Sequence, residues 1–238
     1  MAHNRKNSRL QHVISDNSPF AVTEAYKSVR TSIFFANTDE GCNIIAFTSS
    51  APGEGKTMTC INVAISLAES GKKVLLIDSD MRKPQVAATL KLNSVPGLSE
   101  LLSGVEDMNG NGELCRQKTD YEGLDVIASG AIPPNPAELI ACPRTEKLFA
   151  ALSKEYDYIL IDTPPCMVVT DALLYKKYVM GYVAVIRANI SRTDATGKLL
   201  ERFEQLGARV IGFILNDRVR KRGSYKRYNE YDGRAKKR

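Results

Sequence analysis

Eight residues, Ser50-Ala51-Pro52-Gly53-Glu54-Gly55-Lys56-Thr57, lie between a short apolar run, Asn43–Thr48, and a helical pattern from Thr57 to Glu69. That placement constrains the fold more than any other feature of the chain. A glycine-rich turn that leaves a strand and enters a helix curls successive backbone N–H groups inward, with the positive end of a helix dipole behind them. The result is a cradle for phosphate. Gly53 and Gly55 supply the turn, Lys56 is placed to reach β- and γ-phosphates, and Thr57 carries a hydroxyl suited to Mg²⁺. The loop departs from the usual pattern at its first position, where Ser50 stands in place of glycine.

The segments around this loop alternate in type. Apolar runs at Asn43–Thr48, Lys73–Asp78, Leu124–Ala128, Tyr158–Asp162, Tyr182–Arg187 and Arg209–Leu215 read as strands. Lys-Val-Leu-Leu-Ile-Asp is apolar without alternation, the mark of a strand buried on both faces. Helical patterns at Gly97–Leu102, Pro136–Ser153, Asp171–Tyr178 and Thr193–Leu206 separate most of these strands, and an earlier helix at Phe20–Asn37 presents Ala21, Ala25, Val29 and Ile33 as one stripe. Strands alternating with helices predict an α/β fold with a doubly wound, mostly parallel sheet. The 238 residues divide into a flexible leader (1–18), one domain (19–217) and a basic tail (218–238), with 104–120 as a mobile insertion.

Two further strands end in acid. Asp78 and Asp80 follow Lys56 by 22 and 24 residues, and Asp162 closes Ile-Leu-Ile-Asp. The C-terminal ends of parallel strands converge on the ligand crevice. Lys56, Asp78, Asp80 and Asp162 are therefore expected around one metal–phosphate centre.

Several chemistries are excluded. The only histidines, His3 and His12, lie in the leader, so the domain has no histidine base and no Ser-His or Cys-His triad. Cys42, Cys60, Cys115, Cys142 and Cys166 are scattered singly, which argues against a disulfide framework or a zinc site. No apolar run reaches the ~18–20 residues of a membrane span, and the polar N-terminus does not read as a signal peptide. A soluble, cytosolic protein is expected. The net charge of +6 is uneven: residues 218–238 hold ten Lys/Arg against Glu230 and Asp232, a net +8, so the other residues sum to −2. Tyr225, Tyr228 and Tyr231 recur at every third position within that tail.

Pro-Gly-Glu-Gly-Lys-Thr, then Leu-Leu-Ile-Asp-Ser-Asp-Met-Arg-Lys-Pro, then Ile-Leu-Ile-Asp-Thr-Pro-Pro together resemble the bacterial tyrosine kinases (BY-kinases) of capsular and exopolysaccharide synthesis, in which these segments are the Walker A, A′ and B motifs. Ser129–Ile140, Gly212–Asp217 and the C-terminal tyrosines extend the resemblance. It implies a P-loop NTPase fold like that of ParA and MinD, with ATP and Mg²⁺ as cofactors and tyrosine phosphorylation as the activity. Gly53, Glu54, Gly55, Lys56, Thr57, Met58 and Asn216 would bind nucleotide, Asn216 near the adenine. Thr57, Asp80 and Asp162 would serve the metal, and Asp78 or Asp80 would orient or deprotonate the incoming tyrosine. Tyr225, Tyr228 and Tyr231 would be the phosphoacceptors, modified in trans.

The resemblance also implies partners. Glu24, Lys27 and Arg30 occupy the positions of an E-x-x-R-x-x-R pattern that joins subunits into a ring, with lysine replacing the first arginine. A separate membrane protein, a chain-length regulator, would donate an activating segment and hold the kinase at the inner face of the plasma membrane, and a phosphotyrosine phosphatase would reverse the modification. Two other readings compete. A ParA/MinD-like partition ATPase shares the fold, but such proteins usually carry lysine at the second loop position, where this chain has Ala51. A nucleic-acid-binding protein could use the basic tail with its tyrosines as stacking platforms; the intact phosphate loop makes that an added property at most.

Overall fold

The computed structural model describes residues 13–36, 41–105, 112–188, 190, 191 and 193–217. The tail with Tyr225, Tyr228 and Tyr231, and leader residues 1–12, lie outside the described residues. In chain order the elements are α1 (Phe20–Ala36), β1 (Asn43–Ser49), α2 (Lys56–Ala68), β2 (Val74–Asp78), α3 (Val86–Leu90), α4 (Leu98–Ser103), a 3-10 turn (Glu113–Cys115), β3 (Arg116–Lys118), β4 (Leu124–Ile127), α5 (Pro136–Ala141), α6 (Pro143–Leu152), β5 (Tyr158–Asp162), a 3-10 helix (Asp171–Lys177), β6 (Gly181–Arg187), α7 (Thr193–Gln205) and β7 (Val210–Asn216).

The strands form one seven-stranded sheet in the order β3-β4-β2-β5-β1-β6-β7. Every pairing is parallel except β3 with β4. Continuous apolar strands feed both faces. Ile44, Ala46, Leu75, Ile77, Ile159 and Ile161 pack beneath α4, α6 and α7. Their neighbours Ile45, Phe47, Val74, Leu76 and Leu160 pack beneath α1 and α2 on the other face. Side chains alternate between faces along a strand, so a sheet covered on both sides requires apolar residues at every position. The doubly wound, mostly parallel sheet predicted from the sequence is the observed one.

Local details differ from the expectation, each for a physical reason. The 136–153 helix is two helices: Cys142 is extended (φ −70°, ψ 156°) because the ring of Pro143 disfavours helical backbone before it. The leader is anchored earlier than residue 19. Val13 and Ile14 are buried, the Ile14 N–H donates to Asn62 Oδ1 (3.0 Å), and the Tyr121 hydroxyl donates to the Ile14 carbonyl (3.2 Å). On α1 the packed stripe is Val22, Tyr26, Val29 and Ile33, while Ala25 faces solvent. The 104–120 segment is not wholly an insertion: Cys115 is buried and Arg116–Lys118 forms the antiparallel edge strand β3. Three residues without an apolar run leave no periodic signal to read. No helix among the described residues is long and apolar enough to cross a membrane.

Candidate active site

Parallel register places the site. Asp78 and Asp162 end adjacent strands and stand opposite each other, and Phe47, two residues before the end of β1, also pairs with Asp162. The chain then leaves β1 into the glycine-rich loop. Gly53 (φ 84°) and Gly55 (φ 87°) take left-handed backbone that side chains oppose, and a Cβ on Gly55 would overlap the Asn216 amide. Helix α2 starts at Lys56 with no side-chain cap and no acid in its first turn. Its leading amides are thus left to an anion.

Lys56 is 7% exposed and its Nζ lies 2.7 Å from Asp162 Oδ1 and 3.7 Å from Asp80 Oδ2. The Thr57 hydroxyl donates to the other oxygen of Asp162 at 2.6 Å. Burial works against the ammonium, but Asp162, with Asp80 and Asp78 beyond it, outweighs burial and holds the Lys56 pKa above its ordinary value. Lys56 stays charged.

The two acids of the second motif occupy different positions. Asp78 is fully buried; its Oδ2 accepts the N–H groups of Gln85 (3.0 Å) and Val86 (2.9 Å) at the start of α3, and its Oδ1 accepts that of Asp80 (3.2 Å). Burial, then repulsion from Asp162, pushes its pKa up to about 7. Asp80 is less enclosed. Its Oδ1 accepts the Lys83 N–H at 3.1 Å, and burial raises its pKa against the pull of Lys56. Asp78 thus braces the turn between β2 and α3, and Asp80 reaches toward Lys56.

Glu54 does something the sequence did not disclose. Its carboxylate is buried inside the loop, accepting Ser50 Oγ (2.9 and 3.1 Å), the Ala51 N–H (2.9 Å) and Ser191 Oγ. The side chain is therefore a brace; only the backbone of Glu54 can face a nucleotide. The serine at the loop's first position has its reason here, as a donor to that carboxylate. Asn216, at the end of β7, donates from Nδ2 to the Glu54 carbonyl (3.1 Å), and Met58 packs half-buried against the core.

All the predicted nucleotide, metal and catalytic residues thus meet at one end of the sheet. Glu24, Lys27 and Arg30 lie apart on α1: Lys27 pairs with Glu24 at 2.8 Å, and Arg30 Nη1 donates to the Ser66 carbonyl at 2.8 Å. Three contributors near the site were missed. Arg187 reaches the loop, Ser191 binds Glu54, and Arg82 forms a two-point ion pair with buried Asp171 (2.8 and 3.1 Å). Arg187 did leave a signal, as a charged residue closing an apolar strand, like Asp78 and Asp162. All five cysteines are free thiols.

Residues 42–209 match the AAA domain family. Tyrosine-protein kinase YwqD of Bacillus subtilis is 36% identical over 96% of this chain and 97% of its own length. The chain belongs to the bacterial tyrosine-protein kinases. Tyrosine-protein kinase wzc of Salmonella typhimurium is 38% identical over 88% of this chain, which spans only 28% of that longer kinase. Among solved structures, the chimerical protein CapA2B2 superposes on this kinase-family chain with a TM-score of 0.78 at 36% identity, over 86% of this chain and 87% of the chimera. The cell division ATPase MinD of Pyrococcus furiosus, at 25% identity and a TM-score of 0.61 over 79% of each chain, resembles this chain in fold. The fold is therefore the nucleotide-binding P-loop fold, in the tyrosine-kinase branch.

Proposed function

We propose that this chain is an ATP- and Mg²⁺-dependent protein-tyrosine kinase that phosphorylates Tyr225, Tyr228 and Tyr231 of a neighbouring copy and thereby regulates capsular or exopolysaccharide synthesis. The observation that carries this reading is the joint grip of Asp162 on Lys56 and Thr57, with Asp80 beside it. The residues fit the cofactor: an uncapped helix start, two left-handed glycines, a buried ammonium and a threonine hydroxyl beside carboxylates. Lys56, Thr57 and the loop amides would hold the phosphates, with Thr57, Asp80 and Asp162 on the metal side. Bound Mg·ATP supplies the phosphoryl group and the divalent charge that neutralises it.

Asp80 is the better base of the pair. A tyrosine phenol holds its proton to a pKa of about 10, so it needs a carboxylate within reach. Asp78 is fully buried with both oxygens held by backbone amides, whereas Asp80 is less enclosed, gives only one oxygen to an amide, that of Lys83, and turns the other toward Lys56 at 3.7 Å. Asp78 is then a positioning residue. The tail's positive charge draws it to this acidic end of the sheet, and each phosphate adds about −1.5 to −2 charges, which would release it again. The test mixes an inactive Lys56→Met chain bearing the intact tail with an active chain in which the three tail tyrosines are phenylalanine. Phosphate should appear on the inactive chain's tail; phosphate confined to body tyrosines such as Tyr121 or Tyr156 would refute the tail assignment.

Assembly is proposed to run through α1. Glu24 and Lys27 are partly exposed on the solvent side of α1, where a second copy could exchange partners with their ion pair. Because Arg30 ties α1 to α2, the clean variant is Glu24→Ala with Lys27→Ala. Its light-scattering mass should fall toward that of one chain at low protein concentration, and its phosphorylation in trans should slow by roughly threefold to tenfold, as expected for exposed ion pairs summed over an interface. An unchanged mass would remove Glu24 and Lys27 from the contact. A membrane activator in a separate chain, a cognate phosphatase and a place at the inner face of the plasma membrane belong to the same reading.

A further inference from the structure

Two carbonyl groups of the phosphate loop are held from outside by side chains at the ends of β6 and β7. Arg187 Nη1 donates to the Gly53 carbonyl at 3.1 Å, and Asn216 Nδ2 donates to the Glu54 carbonyl at 3.1 Å. In a planar trans peptide the C=O of one residue and the N–H of the next point in opposite directions. Fixing the carbonyls of Gly53 and Glu54 therefore fixes the N–H groups of Glu54 and Gly55, which turn away from Arg187 and Asn216. Glycine-rich backbone at positive φ can otherwise flip its peptides at little steric cost, and one flipped peptide would aim an oxygen where an anion needs a donor.

Arg187 is itself held. Its Nε and Nη2 bond Asp217 Oδ2 at 3.0 and 2.9 Å, leaving Nη1 for Gly53. Asp217 adopts φ 56°, unusual for a residue with a side chain, and its N–H is held by Asn216 Oδ1 at 2.9 Å. Asn216, Asp217, Arg187 and the loop thus form one closed circuit, and Asp217 is the residue immediately before the basic segment 218–238. The planar fork of arginine lets one side chain hold a carboxylate and a carbonyl at once.

We propose that Arg187 is a positioning residue for nucleotide, which sets the loop's peptide orientations and, through Asp217, ties them to the root of the tyrosine-bearing tail. This inference rests on the kinase reading above. Binding of fluorescent Mg·ADP and Mg·ATP to the full chain tests it, alongside melting of the ligand-free protein. Arg187→Ala should weaken both nucleotides about tenfold or more, the scale of a lost charged hydrogen bond, and Arg187→Lys should recover part of that loss. Asp217→Ala should weaken binding about threefold, and the double variant should be no worse than Arg187→Ala, because the two act as one unit. Ligand-free melting should shift by no more than about 2 °C, since both groups are partly exposed.

Wild-type affinity in Arg187→Ala would overturn the inference, as would a loss of affinity that merely tracks a fall in ligand-free melting. Additive losses from Arg187→Ala and Asp217→Ala would overturn the link to the tail root. Failure of the unsubstituted chain to bind nucleotide would instead overturn the kinase reading, and this inference with it.

Discussion

Lys56→Met is expected to abolish tyrosine phosphorylation, by at least about a thousandfold, and also to destabilise the protein in the absence of nucleotide. The first effect follows from phosphoryl transfer, in which charge neutralisation supplies most of the rate. The second comes from the ligand-free geometry. Among the described residues, the Lys56 ammonium is the one positive group within ion-pair distance of Asp162 and Asp80, and Asp78 lies behind them. Removing it leaves three enclosed carboxylates facing one another. Breaking a buried pair from one side commonly costs about 3–5 kcal/mol. Uptake of a proton by one of the three carboxylates would limit the cost here to about 2–4 kcal/mol, or a melting midpoint roughly 4–16 °C lower. Phosphotyrosine mass spectrometry and calorimetry of the ligand-free variant read the two effects separately. Phosphorylation within tenfold of the parent would refute the role of Lys56.

Asp162→Asn should be nearly as damaging to activity and much kinder to the fold. The carboxylate accepts hydrogen bonds from both Lys56 and Thr57, and a carboxamide keeps an acceptor for Lys56 while turning its donor to the Thr57 hydroxyl, which can accept. Loss of its charge from the metal side should slow phosphorylation about a hundredfold to a thousandfold. Yet Asp162 also repels Asp78, and its burial places two acids side by side on adjacent strands. Neutralising it removes that repulsion and leaves Lys56 beside Asp80. The ligand-free midpoint should therefore fall by less than half the drop seen for Lys56→Met. The opposite ranking, with Asp162→Asn the less stable, would show that Asp162 holds the strands together rather than serving the reaction.

Lys56, Thr57, Asp78, Asp80 and Asp162 are legible in the amino-acid sequence because strand ends and a glycine-rich turn leave patterns a few residues long. Parallel pairing then brings such ends together without further information: the register of β2 with β5 alone sets Asp78 against Asp162. The same logic exposes the sheet, since strands buried on both faces must be apolar throughout. Boundaries are less legible. Ala25 counts as apolar on the α1 stripe, but its small side chain offers little area to bury, and Tyr26 and Val22 turn inward in its place.

What the sequence determined by itself was therefore the phosphate loop, the two-sided sheet and the acids at its end, because each is written in near-neighbour residue types. The tertiary structure alone decided how those residues divide the work. Glu54 could as well have faced nucleotide until Ser50, Ala51 and Ser191 enclosed its carboxylate. Asp78 and Asp80 were interchangeable until the first amides of α3 claimed Asp78. Arg187 acquires a role only when β6, β7 and the loop after β1 stand side by side, 134 residues separating its guanidinium from the Gly53 carbonyl in sequence. A hydrogen bond depends on direction and distance within a few tenths of an ångström, so a charged strand end can mark Arg187 as near the site but not which carbonyl it holds.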